Sequence, residues 1–196
     1  MSYWVARWIT LVVLRAIFPI QVFGREHIPQ KGGFILAGNH VSYLDPLVLG
    51  SACPRRLDYM AKEELFYNRL FSWILYQVGC FPVKRDSADL SALKQAIRRV
   101  RQGNGLLLFP EGSRRFDGDQ AQPHAGIGFL AAKLNVPVVP GFVQGTDLAL
   151  PKGGRFIRRV KISVYFGHEI SIDRNLPYQD IAQTIMVNIR QLEKNS

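Results

Sequence analysis

The residues of this chain that are best suited to do chemistry are His40 and Asp45, which have four residues between them. The short apolar run at residues 34–38 comes just before them, and its ending in glycine and asparagine predicts a buried strand. Asp45 followed by Pro46 is typical of a helix start, with Asp as the N-cap and Pro in the first helical position. His40 is therefore expected in a loop between strand and helix, close to Asp45. An imidazole held by a carboxylate in this way can act as a general base on a hydroxyl group at neutral pH.

Most isolated histidines near loops are structural, so the assignment of His40 depends on what the rest of the chain offers. Ser42 lies inside the same stretch, but it is a poor candidate for a nucleophile, and we expect its hydroxyl to bond local backbone. Further along, residues 79–85 run from a glycine to a cationic pair, and residues 109–114 place Phe-Pro-Glu-Gly-Ser-Arg after another apolar run. A fourth block, residues 136–141, is apolar and stiffened by two prolines.

The four blocks together resemble the four ordered motifs of the glycerophospholipid acyltransferases, the family of 1-acyl-sn-glycerol-3-phosphate acyltransferases. These motifs stand here at residues 39–45, 79–85, 109–114 and 136–140, and with the segments between them they cover about half of the chain. A His and an Asp at this spacing are common by themselves, whereas the same pair followed in order by Phe-Pro-Glu-Gly-Ser-Arg is specific. Ser113 stands where the family often has Thr, which keeps the hydroxyl.

The resemblance implies transfer of a fatty acyl group from an acyl thioester to the free hydroxyl of 1-acyl-sn-glycerol 3-phosphate, which makes phosphatidic acid in phospholipid biosynthesis. His40 would be the general base and Asp45 would orient it, without a covalent acyl-enzyme. The thioester is acyl-CoA or acyl-carrier protein as co-substrate, and we expect no cofactor. Two alternatives remain open: the same reaction on another acceptor (glycerol 3-phosphate, another lysophospholipid or a lyso-aminolipid), and a non-catalytic protein that binds anionic lipid.

The same resemblance assigns the binding of the acceptor to the second and third motifs. Arginine suits phosphate because its guanidinium can bond two oxygens at once, whereas a lysine acts as a point charge. The substrate-binding candidates are Lys84, Arg85, Glu111, Gly112, Ser113 and Arg114. Asn39 and Pro140 are expected to support the site. For the acyl chain we expect an apolar slot, for which the aromatic stretch at residues 66–76 and the fourth motif are candidates; the alternative for both is a role in the core.

Composition limits the class of protein and its partners. With 196 residues, of which 47% are hydrophobic, the chain can bury a sizeable core in one domain. Its formal net charge of +10 favours an anionic partner, and membrane lipids, lysophosphatidic acid and acyl-CoA or acyl-carrier protein all qualify. Nucleic acid is not expected, because no nucleic-acid-binding motif accompanies the charge. The basic segment at residues 152–159 could contact anionic headgroups or a carrier protein, or could be a solvated loop.

Cysteine and histidine usage bears on redox state and metals. The chain has two cysteines, Cys53 and Cys80, which we expect to be packed thiols without a disulfide framework. The four histidines are scattered, and no Cys/His cluster has the spacing of metal ligands, so no metal site is predicted.

The N-terminal segment favours association with a membrane. Residues 3–20 are rich in apolar side chains but never reach 18 uninterrupted apolar positions, so a transmembrane span is not favoured. Trp4 and Trp8 at headgroup level, with Arg7 and Arg15 snorkelling, predict an amphipathic helix that lies in one leaflet. The alternative is ordinary packing on the domain. We therefore expect a membrane-associating segment at residues 1–23, a catalytic domain at residues 24–196, and a peripheral or monotopic protein on the cytoplasmic face of a membrane.

Alternation of apolar runs with helical periodicity predicts a single α/β domain whose largely parallel mixed sheet is covered by helices. Strands are expected at residues 34–38, 56–60, 81–84, 105–109, 138–143 and 161–166. Helices are expected at residues 62–78, from a cap at Asp86 or Ser87 to about residue 103, at residues 126–134, and from Pro177 onward.

Overall fold

The computed structural model describes residues 3–84, 89–112, 122–151, 153–154 and 156–194. The seven strands of the sheet are β1 (Ile20–Phe23), β2 (Phe34–Gly38), β3 (Leu57–Lys62), β4 (Cys80–Val83), β5 (Gly105–Leu108), β6 (Val138–Gln144) and β7 (Ile162–Phe166). The α-helices of the described residues are α1 (Tyr3–Ile17), α2 (Asp45–Ala52), α3 (Arg69–Gln77), α4 (Leu90–Arg101), α5 (Ala125–Leu134), α6 (Thr146–Ala149) and α7 (Tyr178–Lys194). Short 3₁₀ helices lie at Arg25–His27 and Glu63–Phe66.

The sheet has the order β1-β7-β6-β2-β5-β3-β4, and every neighbouring pair is parallel except β6 and β7. The prediction of a largely parallel mixed sheet covered by helices is therefore confirmed. Because β2, β3, β4, β5 and β6 run in the same direction, their carboxyl ends share one edge of the sheet. Crevices at this edge are where open α/β sheets bind their ligands. We refer to it below as the carboxyl edge.

The core lies on both faces of the sheet, as the strand β2 illustrates. Phe34 and Leu36 pack into one cluster together with side chains of α1 and α2, whereas Ile35 and Ala37 pack into the other with α4, α5 and α7. Successive side chains of a strand point to opposite faces, so a strand covered on both sides needs apolar residues throughout. The continuous apolar runs in the sequence have this cause.

The starts of two helices differ most from the sequence prediction. The single helix expected at residues 62–78 is broken, because the Asn68 side chain accepts a hydrogen bond from Phe71 N and so starts α3 as a separate helix. The cap of α4 is Asp89, which accepts from Ser91 N and Ala92 N. The caps predicted for this helix at residues 86 and 87 lie outside the described residues. The strand β1 and the short helix α6 were not predicted.

The N-terminal helix α1 lies against α2, and Arg7 makes the connection. Its guanidinium donates to the carbonyl oxygens of Ser51 (2.9 Å) and Cys53 (2.6 Å) at the C-terminal end of α2. Cations favour this end of a helix because its last carbonyl groups lack partners within the helix. The prediction that Arg7 snorkels toward headgroups is therefore wrong, whereas Trp4 and Trp8 are exposed.

No helix among the described residues combines the length and the apolar character that a bilayer crossing requires. Residues 20–23 form the edge strand β1, so the sheet begins inside the segment predicted as residues 1–23. The division of the chain at residue 23 stays a prediction.

Candidate active site

Asp45 occupies the first turn of α2 and fixes the loop that precedes it. The helix begins at Asp45, with Leu44 as the N-cap, so the predicted N-cap role of Asp45 is wrong by one residue. The carboxylate turns back instead, and Oδ2 accepts from Val41 N and Ser42 N, both at 2.7 Å. The aspartate therefore organises the backbone between β2 and α2, at the carboxyl edge.

His40 lies in this loop and bonds the same carboxylate oxygen. Its Nδ1 is 2.9 Å from Asp45 Oδ2, and both residues are buried. A carboxylate oxygen can only accept, so Nδ1 donates and the neutral ring keeps its lone pair on Nε2. The ring stacks on Phe109, which follows β5, with the centroids 4.1 Å apart and an angle of 19° between the planes. The predicted pairing of His40 with Asp45 is present in the structure, in a geometry suited to accepting a proton.

Thr146 completes the surroundings of Asp45 and was not predicted from the sequence. Its hydroxyl donates to Asp45 Oδ1 at 2.5 Å. Gly145, at φ 89°, directs the chain from β6 into α6, and a β-carbon there would lie 2.3 Å from the carbonyl oxygen of Lys161. The available signal was a glycine followed by a hydroxyl residue directly after a strand that ends at the carboxyl edge. Phe109 was also missed as a site residue, although it belongs to the third motif.

Asn39 and Pro140 act on the sheet rather than on the imidazole. The Asn39 amide donates to Val143 O (2.9 Å) and accepts from Val143 N (2.8 Å), which continues the pairing of β2 with β6 beyond the end of β2. Pro140 lies opposite Ala37, and its carbonyl accepts from Gly167 N, just past the end of β7. The missing N–H of the proline therefore falls where the ladder with β7 has ended.

Ser42 is buried and its hydroxyl is held in place. Oγ donates to the carbonyl of Leu150 at 2.8 Å and accepts from Leu44 N at 3.3 Å. The second bond is the local backbone bond that was expected, and the first was not predicted. The first connects the loop that holds His40 to the chain that follows α6.

The second motif contains β4 and ends just past it, and the third motif follows β5, so both reach the carboxyl edge, but only part of each is described. Lys84 N donates to Asp89 Oδ2, and the backbone bonds that Asp89 accepts from Ala92 and Lys84 lower the pKa of its carboxyl group. Glu111 is buried. Gly112 has φ 67°, and a β-carbon there would lie 2.5 Å from His124 Cδ2, so its close neighbour is this imidazole. The predicted binding residues at positions 85, 113 and 114 lie outside the described residues.

An apolar pocket of about 290 Å³ opens beside the His40–Asp45 pair. Phe109, which stacks on the His40 ring, is part of its wall. Tyr59 also lines the pocket and packs so closely on α2 that a β-carbon at Gly50 would lie 1.9 Å from its hydroxyl oxygen. The other lining residues are Tyr3, Arg7, Thr10, Tyr43, Pro46, Leu47, Ser51, Met60, Ala61, Leu65, Leu75, Val78, Cys80 and Leu107.

An apolar pocket is therefore present beside the His40–Asp45 pair, and its wall differs from the one expected for an acyl chain. Within the described residues, Leu75 is the one member of the aromatic stretch at residues 66–76 that lines the pocket, and the fourth motif does not reach it. No group of three or more His, Cys, Asp or Glu residues that could hold a metal ion occurs among the described residues.

A protein-family model that matches this chain shows the family to which the chain belongs. The model, described as Acyltransferase, matches residues 19–144, a span that contains the His40–Asp45 pair, Phe109 and Glu111. The chain belongs to the acyltransferase family. Relatives within curated proteins carry a more specific name. A 1-acyl-sn-glycerol-3-phosphate acyltransferase of Bacillus subtilis (strain 168) is 28% identical over 160 residues, which cover 81% of this chain and 77% of that protein.

A protein of Streptococcus pneumoniae (strain ATCC BAA-255 / R6) with the same name is 29% identical over 179 residues, which cover 87% of this acyltransferase chain and 65% of the relative. The crystal structure of the 1-acyl-sn-glycerophosphate (LPA) acyltransferase PlsC from Thermotoga maritima is similar, with a TM-score of 0.80 at 22% identity. The similarity covers 97% of this chain and 79% of that chain. It establishes that the two proteins share the fold.

Proposed function

We propose that this acyltransferase moves a fatty acyl group from an acyl thioester to the free hydroxyl of 1-acyl-sn-glycerol 3-phosphate, making phosphatidic acid. The observation that carries the proposal is the buried His40–Asp45 pair beside an apolar pocket whose wall includes Phe109, within the span of the family match. The names of the relatives support the choice of acceptor. The acyl donor is proposed only as a class, because acyl-CoA and acyl-carrier protein both fit a basic surface.

The proposed reaction uses His40 first as a base and then as an acid. Nε2 takes the proton of the acceptor hydroxyl while the oxygen attacks the thioester carbonyl, which gives a tetrahedral oxyanion. The oxyanion collapses, the carbon–sulfur bond breaks, and Nε2 returns the proton to the departing thiolate. Asp45 Oδ2, 2.9 Å from Nδ1, stabilises the imidazolium that exists between the two transfers.

A covalent acyl-enzyme is not part of this mechanism. Ser42 is the hydroxyl residue nearest to His40 in sequence, but its Oγ donates to Leu150 O and it is fully buried. The acceptor alcohol therefore takes the place that the nucleophilic serine has in a Ser-His-Asp triad. We propose that Arg85 and Arg114, assisted by Lys84, bind the phosphate of the acceptor, and that Glu111, Gly112 and Ser113 line the same subsite.

The apolar pocket is the proposed slot for an acyl chain. Phe109 touches both the pocket and the His40 ring, so a chain in the pocket would bring its carbonyl end toward the base. Burial of each methylene of the chain favours binding by about 0.8 kcal/mol. Chain-length preference would then depend on how far the pocket extends past Phe109.

We propose that the protein acts at the cytoplasmic face of a membrane, with α1 in contact with lipid. Trp4, Trp8 and Val12 follow one another at intervals of four residues and are all exposed, although they are large and apolar. Such a stripe on a helix is typical of a surface that lies in the interface of a bilayer. Leu70, Phe71, Trp73 and Ile74 of α3 are exposed in the same way.

The test of the function is transfer of a labelled acyl group to 1-acyl-sn-glycerol 3-phosphate in detergent micelles, with acyl-CoA and acyl-carrier protein as parallel donors. We expect His40→Ala to lower turnover by about 10²–10⁴-fold, the usual contribution of a general base. His168→Ala is the matched control, because this exposed histidine lies outside the site. Equal turnover of parent and His40→Ala would contradict the mechanism. Turnover with glycerol 3-phosphate or another lysolipid instead would change the acceptor and keep the base.

A further inference from the structure

The segment between α6 and β7 is basic and partly apolar, and none of its residues has a role in the proposed catalytic mechanism. From residue 148 to residue 168 the sequence contains no acidic residue, and it carries five cations, at positions 152, 155, 158, 159 and 161. Phe156 and Ile157 lie among them with 83% and 52% of their surface exposed. Large apolar side chains this exposed and flanked by cations suit a partner that offers both apolar contact and negative charge.

The base of this loop is fixed at the carboxyl edge, next to the proposed site. Leu150 O accepts from the Ser42 hydroxyl at 2.8 Å. Arg158 N donates to Ala149 O at 2.8 Å, and this bond holds residues 149 and 158 together at the base of the loop. On the far side, Ile162 N donates to Pro19 O at 2.9 Å, directly after α1. The loop therefore lies between the His40 loop and the C-terminal end of α1.

We propose that residues 156–161 bind the surface of a membrane that contains anionic phospholipid. Phe156 and Ile157 insert between the lipids at headgroup depth, and the side chains of Arg158, Arg159 and Lys161 contact lipid phosphates. These three cations are exposed, as such contacts require. A bilayer surface offers the apolar layer and the fixed negative charge together, whereas an acidic carrier protein offers mainly the charge.

The proposal has a consequence for catalysis, which rests on the proposed function. The loop adjoins the His40 loop through the bond of Ser42 to Leu150. Binding of residues 156–161 to a membrane therefore holds the His40 loop toward the lipid from which the acceptor comes. Turnover at a vesicle surface would then rise with the anionic lipid content, whereas turnover in neutral detergent micelles would not depend on the loop.

The test measures sedimentation of the full chain with vesicles of phosphatidylcholine alone and of phosphatidylcholine mixed with phosphatidylglycerol. Arg158→Glu/Arg159→Glu reverses two of the positive charges of the loop. Phe156→Ser removes its most exposed apolar side chain. Lys94→Glu/Arg174→Glu, on exposed residues of α4 and of the segment before α7, makes the same change in net charge elsewhere. Thermal unfolding of each variant establishes that it is folded, and the vesicle-binding measurement does not depend on catalytic activity.

We expect Arg158→Glu/Arg159→Glu to weaken binding to the phosphatidylglycerol vesicles by roughly tenfold or more, with the control unchanged, since each cation near an anionic surface contributes severalfold. Phe156→Ser should weaken binding to both kinds of vesicle. Binding of the loop variants equal to that of the parent, or an equal loss in the control, would overturn the proposal. Intact vesicle binding with turnover lost only toward acyl-carrier protein in micelles would assign the loop to that carrier and overturn it as well.

Discussion

Two aspartates are fully buried among the residues that the structure describes, and they lie at opposite edges of the sheet. Asp45 follows β2 at the carboxyl edge, whereas Asp58 lies near the start of β3 at the other edge. Asp58 Oδ1 is 3.0 Å from Arg99 and 3.5 Å from Arg56, and Oδ2 accepts from Asn104 at 2.8 Å. Two guanidinium groups therefore neutralise Asp58.

Asp45 is surrounded by neutral donors instead. Two backbone N–H groups and the Thr146 hydroxyl bond its oxygens, and His40 is the one titratable partner among the described residues that bond it. A buried carboxylate whose charge is already balanced by arginine stabilises the fold and has little to offer a further proton. A buried carboxylate that bonds only neutral donors and an imidazole keeps its negative charge available, and it stabilises the imidazolium that forms when the histidine takes up a proton. The partners of each carboxylate, rather than its burial, separate the proposed catalytic role from the structural one.

Replacing Asp45 with Asn should produce the largest effect, and it should fall on catalysis. The amide cannot stabilise the imidazolium and can turn a donor group toward Nδ1, which would put the lone pair of His40 on the wrong nitrogen. We expect kcat to fall by about 10²–10⁴-fold. The measurement is acyl transfer at matched folded protein, with Asp147→Asn on α6 as a control outside the bonded cluster. A kcat within threefold of the parent would show that Asp45 has no catalytic role.

Replacing Asp58 with Asn should produce the opposite pattern. Arg99 and Arg56 would lose their counter-charge, and removal of one partner of a buried ion pair costs about 3–5 kcal/mol. Because Arg99 is partly exposed, we expect the free energy of unfolding to fall by about 3 kcal/mol, at the lower end of that range. Urea unfolding measures this loss, and kcat per folded molecule should stay near that of the parent. A large loss of kcat without a loss of stability would contradict the comparison.

The loss of kcat in Thr146→Val should fall between the losses in these two variants, because valine removes one hydrogen-bond donor and keeps the shape of the side chain. Asp45 Oδ1 loses a 2.5 Å hydrogen bond inside the protein, whereas the bond of His40 to Oδ2 remains. Hydrogen bonds to charged groups contribute about 1.5–3 kcal/mol, so we expect a loss of stability in that range together with roughly tenfold lower kcat. Thr146→Ser restores the hydroxyl and should restore both quantities. Equal kcat for the Val and Ser variants would limit Thr146 to a structural role.

The sequence was sufficient to predict the motifs and six of the seven strands, because both depend on local patterns. The apolar run of β2, covered on both faces, and the polar residues that follow it are visible without any tertiary information. The same holds for the pairing of His40 with Asp45, since both residues lie in one short loop.

Contacts between residues far apart in the chain could not be predicted from such patterns. The bond of Thr146 to Asp45 spans 101 residues, and that of Arg7 to the end of α2 spans more than 40. A single sequence carries no record of which distant hydroxyl or guanidinium completes a buried group. The break before α3 depended on the capping bond of Asn68, a local signal that the helical periodicity around it concealed.

An effect confined to alkaline pH is expected for Cys80, which lies beside the Asp58 cluster, and for Cys53 next to Arg7. Burial is the main cause that raises the pKa of the Cys80 thiol to about 12, and burial also raises that of Cys53 to about 11. In the unfolded chain both thiols ionise near their ordinary value of 9.0, while the folded chain keeps them neutral. The unfolded state therefore binds fewer protons above pH 9, and the free energy of unfolding must fall as the pH rises from there toward 11.

Each thiol contributes a slope of at most about 1.4 kcal/mol per pH unit in this window. Urea unfolding at several pH values between 8 and 11 measures the slope, and Cys53→Ala/Cys80→Ala should reduce it, whatever its effect on stability at pH 8. The raised pKa of buried Tyr59 adds to the slope of both proteins, so the difference between them isolates the thiols. Identical slopes would mean that the thiols ionise as easily in the folded chain as in the unfolded one. Burial is the largest cause of the raised pKa of Cys80 and the Asp58 charge a smaller one, so Asp58→Asn should change this slope far less than it changes stability at neutral pH.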